Sequence, residues 1–262
     1  MKERIGLFGG SFDPVHCGHL ALARRALEAV PLDRVLFIPA ADSPFKRGRM
    51  KAGAEDRAEM LRLALEGEPR FQLSRADLDR GGVSYSIDLV RGMRQAFPDA
   101  ELCFLVGADS LAGLHHWHRA DELVRLCRFV SFGRTGTRID PATLGFSPEI
   151  NVRLAADFVP DFDEPVSSTE VRERLARGEN VADQLPLAVA EYALRHGLYK
   201  TNQPTERNPR NESQKPSSCP CGGRPVRRRM RLGAEDARGS RRGRADGGVG
   251  RGRGRDPQIL HG

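Results

Sequence analysis

The chain has 262 residues, 39% of them hydrophobic and 29% charged, which suits a soluble globular protein with one large domain or two small ones. No apolar run approaches the roughly 20 residues that span a bilayer, and the short apolar part of MKERIGLFGG does not read as a secretory leader, so a cytoplasmic protein is expected. The formal charge of +7 is uneven: residues 201–262 carry 15 Lys/Arg against 6 Asp/Glu, which leaves residues 1–200 slightly acidic.

The first element is an apolar strand, RIGLFG (4–9), followed by a glycine turn and a helix, HLALARRALEAV (19–30). A second strand, RVLFIPA (34–40), precedes the helix AEDRAEMLRLALEG (54–67). Next come FQLS (71–74) as strand, YSIDLVRGMRQAF (85–97) as helix, and ELCFLVGA (101–108) and RFVSF (128–132) as strands. VRLAADFV (152–159) reads as a weaker sixth strand. The helices SSTEVRERLARG (167–178) and LPLAVAEYALRHG (185–197) close the series. Near-continuous apolar strands alternating with amphipathic helices predict an α/β fold, a Rossmann-like doubly wound parallel sheet in a single domain over 1–200. Such sheets bind ligands at the carboxyl ends of their strands. After Lys200 the composition turns polar, then Arg/Gly-rich, with Leu, Ile, Val and Phe almost absent. Residues 201–262 are therefore expected to be a disordered tail.

Five cysteines, an odd number without an export signal, do not make a disulfide framework. Cys103 and Cys127 lie in apolar runs and read as small buried hydrophobes. Cys219 and Cys221 have only His261 as a distant third ligand, so no metal site is assigned.

The stretch GLFGGSFDPVHCGHL (6–20) concentrates the chemistry. Gly9 and Gly10 end the first strand where ligands bind and let a ligand or helix approach the backbone. Gly18 stands at the next helix start, where an anion meets unpaired N–H groups and the positive end of the helix dipole. His16 and His19, three apart, can face one side and donate hydrogen bonds to oxygens that gain charge. Asp13 most simply shapes the turn before Pro14. In VSSTEVR (166–172), Ser167, Ser168 and Thr169 offer hydroxyls and N–H groups at a helix start, and Arg172 adds a permanent charge. Ser167-x-x-Glu170 also reads as a capping box, which is compatible with phosphate binding.

GGSFDPVHCGH resembles the G-x-F-x-P-x-H-x-G-H signature of the nucleotidyltransferase superfamily, and VSSTEVR is similar to its I-S-S-T-x-x-R segment. IPAADSPFK, SYSIDLV, FLVGADSLAGLHHW, FGRTG and LPLAVAEYALRHGLY resemble segments of nicotinate-nucleotide adenylyltransferases, and together the matches cover residues 3–200. Phe45 stands where that family usually has a histidine, and Ser86 where it has a threonine.

The resemblance implies ATP and nicotinate mononucleotide as substrates, with Mg²⁺ carried on the ATP phosphates. It implies ATP contacts at Gly9, Gly10, Ser11, His16, His19, Gly107, Asp109, Ser167, Ser168, Thr169 and Arg172. Acceptor contacts are implied at Phe12, Lys46, Tyr85, Ser86, Trp117 and Arg134, and catalytic roles at His16, His19, Lys46 and Arg172. Asp109 reads equally as a helix-start carboxylate, Trp117 as a core residue and Arg134 as a solvated surface arginine. A nicotinamide-preferring relative and a phosphopantetheine adenylyltransferase are rival enzymes, the latter lacking matches to SYSIDLV and to the Trp117 stretch. Nucleic-acid binding through the basic tail is weakened by the absence of aromatic residues there. No membrane partner is expected, and a homo-oligomer stays open.

Overall fold

The computed structural model describes residues 2–42 and 50–200. Lys46, Phe45 and the whole expected tail, with Cys219 and Cys221, lie outside the described residues. Six strands form one sheet: β1 Arg4–Gly10, β2 Arg34–Pro39, β3 Phe71–Leu73, β4 Glu101–Gly107, β5 Arg128–Phe132 and β6 Phe158–Val159. Their order is β3-β2-β1-β4-β5-β6, and every pairing is parallel. The helices are α1 Cys17–Ala29, α2 Ala54–Ala64, α3 Ala76–Arg80, α4 Ser86–Ala96, α5 Ala108–Ala112, α6 Ala120–Leu126, α7 Pro148–Ala156, α8 Ser168–Ala176 and α9 Leu187–Arg195.

The strands are apolar throughout because alternate residues feed two cores. In β4, Cys103 and Leu105 join the core under α1, α2, α8 and α9. Leu102, Phe104 and Val106 join the opposite core under α4, α6 and α7. In β2, Val35 and Phe37 face the first core, and Leu36 and Ile38 the second. Each such side chain contributes about 1.5–3 kcal/mol relative to exposure. Cys103 and Cys127 are buried, and burial pushes their thiols up to about 11 and about 12, so both stay protonated and inert.

The strand expected over 152–159 is a correction. Residues 148–156 form α7, with Pro148 at its first position, and only Phe158–Val159 pair as a strand. On a strand Val152 and Leu154 would share a face, but Leu154 is buried while Val152 is 61% exposed. The short helices α3, α5 and α6 were not predicted; each spans two turns or fewer, too little for a helical period to emerge.

Strand order runs outward from β1 on one side and from β4 on the other, so the crevice beyond the carboxyl ends of these two neighbours is the expected ligand position.

Candidate active site

The loop from Ser11 to His16 joins β1 to α1 and is gripped by three hydrogen bonds from two helices. Arg57 of α2, 1% exposed, donates from Nη1 to the Ser11 carbonyl at 2.8 Å. Arg172 of α8 donates from Nη1 to the Asp13 carbonyl at 2.7 Å, and the Ser168 hydroxyl donates to the Pro14 carbonyl at 3.0 Å. Burial pulls the Arg57 guanidinium below its ordinary value, with the nearby Asp13 charge acting against that shift. Asp13 does more than shape a turn. It is 3% exposed, and its carboxylate accepts from the N–H groups of Lys51 (2.8 Å) and Ala52 (3.1 Å) and from the Tyr199 hydroxyl (2.8 Å).

Tyr199, far along the chain, therefore closes this network. Burial first, then the Asp13 charge, push its phenol up, so it remains a donor. Ending the chain after Lys200 is expected to leave turnover and melting temperature unchanged. Ending it after Gly197 removes Leu198 and Tyr199 and orphans one bond on a buried carboxylate, at about 2–4 kcal/mol in a denaturation experiment.

The Phe12 side chain, for which the resemblance implies an acceptor contact, is buried and not among the residues that line the cavity described below. Its φ of 45° lies in the left-handed region, where a bulky side chain is held only by packing. The ring is buried edge-on against Phe8 (5.5 Å) and His19 (5.0 Å), a floor beneath His19 rather than part of a cavity wall.

His16 is the residue before α1 and is 7% exposed; its ring lies 3.6 Å from that of His19, inclined by 30°. The His16 backbone N–H donates to His19 Nδ1 at 3.1 Å, so the His19 proton sits on Nε2, on the other side of the ring. The first helix N–H, that of Cys17, donates to the Gln184 carbonyl at 2.8 Å and is not offered to an anion. Gly18 has a packing reason as well: a Cβ there would lie 3.2 Å from His16 Nδ1. Gly18→Ala is expected to shift the His16 ring by a few tenths of an ångström and to lower kcat roughly tenfold, with folding intact by circular dichroism.

A cavity of about 320 Å³ opens beyond the ends of β1 and β4, lined in part by Gly9, Gly10, Ser11, Tyr85, Ser86 and Trp117. These residues, separated in sequence, are brought to one place. Gly107, at the end of β4, also lines it. A Cβ on Gly9 would meet Phe104 and Leu89 only at ordinary contact distances, so packing does not demand that glycine, and its effect is to keep the cavity open. A Cβ on Gly10 would press within 3.0 Å of the Phe12 ring, which explains that glycine by packing alone. Trp117 is half-buried and edge-on to Phe104 at 6.2 Å. Tyr85 precedes α4 and lies over His118 at 4.4 Å. Asp88 pairs with Arg91 at 3.9 Å and is not among the lining residues. Asp109 in the first turn of α5 and Arg134 after β5 are exposed at the same end of the sheet, outside this lining.

A second, cationic cavity of about 510 Å³ is lined by Lys51, Thr169, Arg172, Tyr199 and Lys200 among others. The Ser167 hydroxyl caps α8 by accepting from the Glu170 N–H at 3.2 Å. The reciprocal half of the capping box is absent, because the Glu170 carboxylate accepts from Gln184 Nε2 at 2.8 Å. With the Ser168 proton on Pro14, the side-chain donors left in this cavity are Arg172, Lys51, Lys200 and the Thr169 hydroxyl. Arg172 Nη2 donates to Thr169 Oγ1 at 3.1 Å, which leaves the hydroxyl proton available.

Residues 7–174 match the cytidylyltransferase-like family. A protein of Gloeobacter violaceus named "Probable nicotinate-nucleotide adenylyltransferase" is 44% identical over 202 residues, covering 76% of this chain and 97% of that one. One of the same name from Thermus thermophilus is 44% identical over 197 residues, 75% of this chain and 100% of its own. The chain belongs to the nicotinate-nucleotide adenylyltransferases. A solved structure of the Plasmodium falciparum nicotinic acid mononucleotide adenylyltransferase, complexed with NaAD, shares the fold. Its TM-score is 0.60 at 18% identity, over 75% of this chain and 97% of that one.

About a quarter of this adenylyltransferase has no counterpart in those relatives. The thiol nearest the paired histidines, Cys17, is pushed up by burial and then by the Glu164 charge, so it is a thiol rather than a nucleophilic thiolate. The residues missed by sequence reading are Asp77, Arg57 and Tyr199. Arg57 and Tyr199 act through partners far along the chain, and Asp77 joins the distant Ala41 to its near neighbours Arg80 and Ser84.

Proposed function

We propose that this adenylyltransferase moves AMP from ATP to the phosphate of nicotinate mononucleotide, giving nicotinate adenine dinucleotide and pyrophosphate. The observation that carries the reading is the cavity in which the glycine turn after β1 faces Trp117 and the Tyr85–Ser86 start of α4. A planar pyridine ring fits beside Trp117, and its anionic substituent gains from the helix start.

An oxygen of the acceptor phosphate attacks the α-phosphorus of ATP, and the bond to the bridging α,β-oxygen breaks. The attacking oxygen is already anionic at neutral pH, so no general base is required. The chain's task is to align two anions and hold charge that develops on the pyrophosphate. His19 Nε2–H, His16 and Arg172 serve that charge, with Lys46 as a further cation. Ser11, Gly107, Asp109 and the α8 start hold the nucleotide, and Arg134 serves the acceptor phosphate. Mg²⁺ enters on the ATP phosphates as part of that substrate. Among the described residues no group of three or more His, Cys, Asp or Glu side chains gathers to hold a metal.

Pyrophosphate release from ATP, with nicotinate mononucleotide or phosphopantetheine as acceptor, tests the reaction class. Release is expected only with the mononucleotide; release only with phosphopantetheine would refute the reading.

A further inference from the structure

Asp77 is a carboxylate that lines the cavity beyond β1 and β4 and yet is 3% exposed. It sits in α3, and its two oxygens are fully employed. Oδ2 accepts from the Ala41 N–H at 3.0 Å and from the Ser84 hydroxyl, and Oδ1 accepts from Arg80 Nη2. Arg80 Nη2 also donates to the Val83 carbonyl at 3.1 Å.

Ser84 passes the connection on. Its Oγ accepts from the Asp42 N–H at 3.1 Å, and its own N–H donates to the Asp42 carbonyl at 2.9 Å. Asp42 and Val83 form an isolated parallel bridge. Two loops are thus laced together at the sheet's ligand-binding end, one following β2 and one leading into α4. Ala40 of the first loop and Ser84, Tyr85 and Ser86 of the second all line the cavity.

We propose that Asp77 is a positioning residue for the acceptor: through Ala41 and Ser84 it fixes the β2 loop against the start of α4, so that Tyr85 and Ser86 meet the acceptor ring in one geometry. This rests on the reading of that cavity as the acceptor site. Three donors converge on Asp77, which calls for a carboxylate there, and Arg80 compensates its buried charge and limits its repulsion of the substrate's own anion. The hydrogen bonds of Asp77 do not reach the loop at 11–16 or α8; its link to that side is the charge it presents to Arg57, which Ser84 does not share, so the Ser84 variants isolate the acceptor side.

The variants Asp77→Asn and Ser84→Ala test this, with Ser84→Thr as the conservative control that restores a hydroxyl. Wild-type protein is first assayed with nicotinate mononucleotide and ATP; no turnover with that acceptor overturns the functional reading itself. Given turnover, Asp77→Asn is expected to raise the KM for the mononucleotide at least tenfold and Ser84→Ala about threefold to tenfold, while the KM for ATP stays within about twofold. Ser84→Thr is expected to recover most of the Ser84→Ala loss. An acceptor KM that is unchanged in Ser84→Ala, or that rises in step with the ATP KM, would overturn the positioning role. Should Asp77→Asn fail to fold, the Ser84 pair decides alone.

Discussion

Replacing His19 with alanine is expected to lower kcat by about 10²- to 10³-fold, the loss found when one preorganised donor to a developing charge is removed. The His16 N–H occupies His19 Nδ1, which fixes the tautomer and aims Nε2–H away from the backbone. Phe12 beneath and His16 beside hold the ring in place, so little reorganisation is left for the transition state. Asparagine is a useful second replacement, since it keeps a donor but not the ring's reach or its packing on Phe12. His19→Ala is expected to fold, because its neighbours Phe8, Phe12 and Phe37 still pack together. A folded His19→Ala enzyme with near-normal turnover would remove this histidine from the mechanism.

Arg172→Ala is expected to lower kcat/KM by about 10²- to 10³-fold, combining a lost charge with a lost clamp. One side chain both donates to the Asp13 carbonyl and Thr169 and faces the cationic cavity. Arg172→Lys separates the two effects. A lysine keeps the charge but, as a point donor, cannot reproduce the guanidinium's planar fork. It is expected to recover only part of the loss, with kcat remaining well below the wild-type value. Full recovery in steady-state kinetics would make charge alone sufficient and the grip on the 11–16 loop dispensable.

What was legible in the sequence was local or periodic. The strands at 4–9, 34–40, 101–108 and 128–132 show because both of their faces are buried, so the runs are apolar but for the buried Ser131 and bounded by Gly, Pro or charge. His16 and His19 show because one helix turn brings them together. Asp77 did not show, since RADLDRGG reads as a solvated turn; its burial depends on pairing Asp42 with Val83 and Ser84. Arg57 looks like any charged position on an amphipathic helix, and its burial is explained by the Ser11 carbonyl and the nearby Asp13 charge. Tyr199 meets Asp13 across nearly the whole domain. The Ser168 hydroxyl reads locally as a free donor at a helix start, and only the fold shows that it donates to the Pro14 carbonyl.

The pocket beside Tyr85, Ser86 and Trp117 is expected to take an acid rather than an amide. At the start of α4 the Tyr85 and Asp88 N–H groups donate to the Val83 and Tyr85 carbonyls, so the donors left to a ligand are those of Ser86 and Ile87, and Asp88, the one carboxylate of that turn, is turned toward Arg91. A ring carboxylate gains the helix-dipole and charge-assisted terms there, and a carboxamide loses them and turns an NH₂ toward donors. A difference of about 1–3 kcal/mol corresponds to roughly 5- to 150-fold. The measurement is kcat/KM for nicotinate mononucleotide and for nicotinamide mononucleotide at one fixed concentration of ATP and Mg²⁺. At least about a tenfold preference for the acid is predicted; equal values, or a preference for the amide, would contradict the account.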